Sequence, residues 1–135
     1  MLKKFLRPIN LPNAVDWGVL ILRVGISLCM LTHGLPKLTK LLNGDFAFAD
    51  PIGVGEGTSL VMAVSAEVLC SLLLILGLAS RLVLIPLIFT MIVAMFVIHA
   101  ADPFDVKEHS LLFLIPYITL YLTGPGRFSL DKKLF

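Results

Sequence analysis

Cysteine is scarce in this chain of 135 residues: Cys29 and Cys70 are the only two. No C-x-x-C occurs, so the sequence offers neither a thioredoxin-like dithiol nor a cysteine-rich zinc or iron-sulfur site. Placed along antiparallel helices, the two thiols differ in depth by roughly 9 Å, too far for a disulfide. H-E-x-x-H and C-x-x-C-H are missing as well, and the three histidines, His33, His99 and His109, lack diagnostic metal or haem spacing. No metal and no covalently bound cofactor is expected. Charge is sparse too, at 15% Asp, Glu, Lys and Arg with a net of +2. That leaves no dense basic stripe for nucleic acid. Internal repeats and low-complexity tracts are absent, which argues against one copy forming a complete transporter.

What the chain does have is hydrocarbon. At 58% hydrophobic residues and a mean hydropathy of +0.97, it is too apolar for a soluble domain. Four stretches, Val15–Leu35, Ser59–Leu78, Leu82–Ala100 and Glu108–Thr123, approach or exceed the roughly 17 to 20 residues that cross a bilayer core. The expected fold is an all-α integral membrane protein, a single domain over 1–135 built as an antiparallel four-helix transmembrane bundle. Lys3, Lys4, Arg7, Arg81, Arg127, Lys132 and Lys133 fall on one side, and only Lys37, Lys40 and Lys107 on the other. This bias places the N- and C-termini in the cytoplasm. The basic start imitates a signal peptide, but the apolar run behind it is too long and holds Arg23, so it reads as a retained span.

Local signals refine this plan. Trp17 suits the inner interface. Gly18 and Gly25, with Ala63, Ala66, Gly77 and Ala79, read as a seam of small residues along which helices approach. The outer loop, 36–58, is half apolar around Phe46 and Phe48 and reads as a lid. Pro86 and Pro116 are expected to loosen the third and fourth helices. Asp105 and Glu108 read as an acidic capping box that starts the fourth.

Ionisable side chains at hydrocarbon depth cost several kcal/mol unless paired. Arg23 and Glu67 reach similar depths, about 12 and 16 Å above the inner edge, so they read as partners. Two readings stand: an ion pair that fixes helix packing, or the charged floor of a binding pocket. Helical spacing then carries Ser27, Met30, His33 and Lys37 up one face from Arg23. His99, Glu108 and His109 reach the same outer level, with Tyr117 two turns below His109. The candidate pocket residues are therefore Arg23, His33, Lys37, Glu67, His99, Glu108, His109 and Tyr117. No catalytic residue stands out. Of the ligands such a mixture suits, a quinone or small oxyanion head group asks for the least geometry.

Arg23-Val24-Gly25, His33-Gly34-Leu35-Pro36-Lys37, Glu67, Leu76-Gly77-Leu78-Ala79-Ser80-Arg81 and Gly124-Pro125-Gly126-Arg127-Phe128-Ser129-Leu130-Asp131, taken in order, resemble the DoxX family of small four-helix membrane proteins. The resemblance runs from about Asp16 to Asp131. It implies similarity to the small subunit of a thiosulfate:quinone oxidoreductase and association with sulfur or thiol redox partners. The expected function is therefore a quinone- or small-ligand-binding subunit of a membrane redox complex in the bacterial inner membrane. Its partners would be the lipid bilayer, a peripheral redox protein and further copies of the chain. The alternatives are a scaffold that recruits proteins to the membrane and, further off, a small-solute transporter.

Overall fold

A computed structural model describes residues 1–135, and every regular element in it is helical. Helix α1 covers Leu2–Leu6. Pro8 and Pro12 interrupt the chain, and α2 then runs over Asn13–Leu42, 30 residues or about 45 Å. Helix α3 is Glu56–Leu76 and α4 is Ser80–Ile98. Each contains a π-helical stretch, Ser65–Cys70 in α3 and Ala94–Ile98 at the end of α4. Helix α5 covers Phe104–Thr123, and α6 is the short Leu130–Leu134.

Two boundaries differ from the expected ones. Helix α2 passes straight through Pro36 and ends seven residues beyond Leu35, so the outer loop shrinks to 43–55. A proline forfeits one backbone bond, but Lys40 at the C-terminal end of α2 favours the carbonyl pole there and pairs with Asp45 at 3.0 Å. Helix α5 starts four residues before Glu108. Pro103 leads into it with an extended backbone, and no side chain caps it. The Asp105 and Glu108 capping box does not form, and both residues lie inside the first two turns.

The long helices close into a ring. Helix α2 packs most extensively on α3, α3 on α4, α4 on α5, and α5 returns to α2. Polarity is inverted relative to a soluble protein. Arg23, Ser27, Glu67, Ser71, Ser80 and Asp131 are buried, while Ile21, Leu69, Phe96, Leu112 and Leu122 stay outside. Only lipid makes such a surface tolerable. Helices α2, α3 and α4 are long and apolar enough to cross a membrane. Helix α5 has 20 residues, but Asp105, Lys107, Glu108 and His109 make its first turns polar.

Both termini lie at one end of the bundle, here the terminal end, and the 43–55 loop lies at the other, the distal end. The segment after α5 folds under the terminal end and is fastened there by buried charge. Arg23 donates to the carbonyls of Pro125 and Phe128, the latter at 2.7 Å, and to Ile75 O at 3.5 Å. The Asp131 carboxylate accepts from Ala79 N at 2.7 Å and Ser80 N at 2.8 Å, capping α4. Asp16 accepts from Arg127 N at 3.0 Å. Gly77 turns α3 into α4 at φ 66°, and a Cβ there would lie 2.5 Å from the Ser129 Cβ. Of the glycines in the expected seam, Gly77 thus makes a close approach, whereas nothing lies within 4 Å of a Cβ built on Gly18 or Gly25.

Arg23 therefore does not pair with Glu67. A helical side chain leans toward its own N-terminus. On antiparallel helices this carries Arg23 of α2 toward the terminal end and Glu67 of α3 toward the distal end. Arg23 meets α3 at Ile75, eight residues or about 12 Å along the helix from Glu67. Arg23→Gln should cost about 2–4 kcal/mol, because buried carbonyls lose a charged donor. In thermal unfolding, its effect should add to that of Glu67→Gln within about 0.5 kcal/mol. A larger coupling would restore the direct pair.

Candidate functional site

At the distal end α2 and α3 approach so closely that only glycine fits. A Cβ on Gly34 would sit 2.8 Å from Val68 Cγ2 and 2.9 Å from Glu67 Cβ. This contact falls on the π-helical stretch of α3, whose widened turn carries Glu67. One turn beyond Gly34, Lys37 leans back toward Glu67, and Glu67 leans up to meet it. Lys37 Nζ donates to both carboxylate oxygens, Oε1 at 2.6 Å and Oε2 at 2.7 Å. The Glu67 side chain is 4% exposed and that of Lys37 30%, so the pair is set just below the rim.

Above and beside this pair lies a cavity of about 520 Å³. Five of the expected residues line it: His33, Lys37, Glu67, His99 and His109. The His33 ring lies edge-on to His109, with centroids 5.6 Å apart, and edge-on to Phe113 at 5.5 Å. His99 Nδ1 is 2.7 Å from Asp102 Oδ2, which orients the imidazole. Three expected residues lie elsewhere. Arg23 belongs to the terminal end, Glu108 is exposed on α5 away from the lining, and Tyr117 lies fully buried beneath Phe113.

Tyr117 nevertheless belongs to a polar layer under the pocket. Its hydroxyl lies beside Ser71, and neither of these groups nor the Ser27 hydroxyl finds a partner within the standard distance. Orphaned buried hydroxyls of this kind suit water or a ligand. No group of three His, Cys, Asp or Glu side chains is arranged to hold a metal ion, and both cysteines are free.

The sequence reading left out Asp105, Ser110 and Phe113, which line the cavity from α5, and Met91 and Ala94 from α4. The α5 set was legible in principle. Asp105, His109, Phe113 and Tyr117 recur every four residues and share a face, but a helix started at Glu108 leaves Asp105 in the loop. The π-helical stretch of α4, which shifts the face presented by Ala94 and His99, has no such signature.

Fold and site together define a small helical membrane protein with a polar, histidine-lined pocket sunk into one end. The chain belongs to the DoxX family, whose profile matches residues 18–100. It is 32% identical over 124 residues to a Bacillus subtilis protein named "Putative oxidoreductase CatD", covering 91% of each chain. An uncharacterised protein of Haemophilus influenzae is 27% identical, with 93% of this chain and 97% of that one aligned. The uncharacterised membrane protein Rv3486 of Mycobacterium tuberculosis is also 27% identical, over 87% of this chain and 81% of its own. No solved structure matches.

The coupling of Lys37 and Glu67 is measurable. Each of Lys37→Met and Glu67→Gln should cost about 2–4 kcal/mol by stranding a buried partner. The double variant should lose at least about 1.5 kcal/mol less than their sum. Additive losses in a thermal-unfolding cycle would show that the two are not partners.

Proposed function

We propose that this protein is a quinone-binding subunit of a membrane redox system, with the head group held in the distal cavity against Lys37 and the histidines. The reading rests above all on the Lys37 and Glu67 pair, a buried charge pair that forms the wall of a ligand-sized cavity rather than lying sealed in the core. A volume of about 520 Å³ is within the range of small-molecule sites. A quinone supplies the capacity to take up two electrons and two protons. For that, Lys37 Nζ can donate a hydrogen bond to one ring oxygen, and an imidazole of His33 or His109 to the other. Glu67 orients the Lys37 ammonium by accepting from it with both carboxylate oxygens. The histidines and Asp105 provide titratable groups at the mouth through which protons pass. Phe113 offers a flat apolar face to a ring.

In this reading the electrons come from a peripheral partner protein. The relative named as an oxidoreductase and the resemblance to a thiosulfate:quinone oxidoreductase subunit favour the same chemistry.

Titrating the detergent-solubilised protein with a benzoquinone tests this. At one hundred times the dissociation constant, binding adds about 2.7 kcal/mol and should raise Tm by roughly 8–13 °C. Lys37→Met should weaken binding about tenfold or more, since it removes a charged donor. No shift with any quinone, and no quinone in lipid extracts of the purified protein, would count against the reading and return attention to a protein-recruiting scaffold.

The same reading sets α5 across the bilayer as the fourth span and the terminal end in the cytoplasm of a bacterial inner membrane. The Lys and Arg bias at that end is the physical reason. Reporter fusions after Lys4 and after Phe135 should both give cytoplasmic signals, and one at Asp50 an external signal. Opposite signals from the two termini would mean an odd number of spans.

A further inference from the structure

The Lys37 and Glu67 pair has a second cavity on its other side. A cleft of about 330 Å³ runs between α3 and α4 and shares Lys37, Glu67, Ala94 and His99 with the distal pocket. The two spaces border one another at these four residues. Away from that common wall the cleft is apolar. Ala63 and Ala66 of α3 face Pro86, Phe89 and Val93 of α4. The small alanine side chains leave its width, and Thr90 turns its hydroxyl back to Pro86 O at 2.7 Å. The mouth opens to the outside of the bundle, where Met62 is 44% and Phe89 50% exposed among the lipid-facing side chains.

The distal loop roofs this cleft through Phe48, Ala49, Pro51 and Ile52. Asp50 clamps the roof, accepting from Val54 N, Gly55 N and Ser59 Oγ, each at 2.9 Å. The Gly55 amide above all holds the Asp50 carboxyl below the usual carboxylate range, so the clamp stays ionised at neutral pH. The Phe48 ring lies 5.8 Å from Lys37 Nζ, joining the roof to the charge pair.

A cavity with a charge pair at its inner end and hydrocarbon from there to the lipid matches an amphiphile. A bilayer acyl chain alone would leave the charged end unused. We infer that the cleft is the channel for the apolar tail of the ligand whose head group sits in the distal pocket, so that the ligand enters and leaves sideways between α3 and α4. The inference rests on the head-group reading above and adds the path and the tail subsite. An alkyl or isoprenoid chain gains no hydrophobic energy in moving from lipid into such a cleft. What the cleft contributes is therefore shape: it admits a tail without displacing lipid-facing side chains.

Two ligands separate the readings: a benzoquinone with a decyl chain, and the same ring without it. Both are titrated against wild type, Ala63→Phe, which fills the cleft without touching the pocket lining, and Phe89→Ala, which strips its mouth. Each ligand is compared with itself in one detergent, so partition into micelles cancels. Ala63→Phe should weaken the decyl form about tenfold or more by steric clash and the bare ring less than about twofold. Phe89→Ala, at an exposed site, should weaken the decyl form about threefold through lost contacts, and it decides the matter alone if Ala63→Phe fails to fold. Equal weakening of both ligands, or no change in either, would overturn the channel and leave the cleft to a bilayer chain. Binding of neither ligand by wild type would instead overturn the head-group reading, and the channel with it.

Discussion

A carboxylate buried among helices that face lipid persists only where a cation reaches it, and the distal half of this bundle is arranged around that requirement. Glu67 needs Lys37. Lys37 reaches it because Gly34, one turn earlier, lets α2 press against α3 with no intervening Cβ. The π-helical stretch that carries Glu67 adds backbone width at the same level, and a second such stretch in α4 places Ala94 and His99 opposite. Two cavities then flank the pair, one polar and one apolar. Remove the ion pair and the reason for the close approach, the widened turns and the flanking spaces goes with it.

The terminal end meets the same constraint differently. Its buried charges find backbone rather than each other: Arg23 caps carbonyls of α3 and the C-terminal segment, and Asp131 caps the amides at the start of α4. The motifs around Gly77 and Gly126, far apart in sequence, are thereby two halves of one interlocking corner. Gly77 is needed for both its left-handed φ and the approach of Ser129. Such a corner fixes where α4 begins and how α3 turns into it, which sets the height at which Glu67 and Ala94 face each other.

Much of this was legible in the sequence. Hydropathy alone marks the all-helical membrane character and the rough positions of α2, α3 and α4, because lipid demands long uninterrupted apolar runs. The convergence of His33, Lys37, His99 and His109 was readable from helical spacing, as was the burial of Glu67. The partner of Glu67 was not. Depth along the axis favoured Arg23, and only the opposite lean of side chains on antiparallel helices carries the two apart. The start of α5 was misplaced because Asp105 and Glu108 imitate a cap, although Pro103 already supplies the turn. The π-helical stretches leave no trace in a pattern read with a fixed period of 3.6 residues.

The contrast between the two ends also separates charge sealed into the fold from charge that borders open volume. At the terminal end the buried ions are directed at carbonyls and amides that have no alternative partner, and the corner they close lies outside both cavities. At the distal end Lys37 keeps 30% of its side chain exposed, and both cavities reach the pair. Burial of an ion pair is by itself weak evidence of function. Burial beside open volume is stronger, because packing alone would have filled the space. By that criterion Arg23 belongs to the architecture, and Lys37 and Glu67 are the pair on which the proposed ligand site rests.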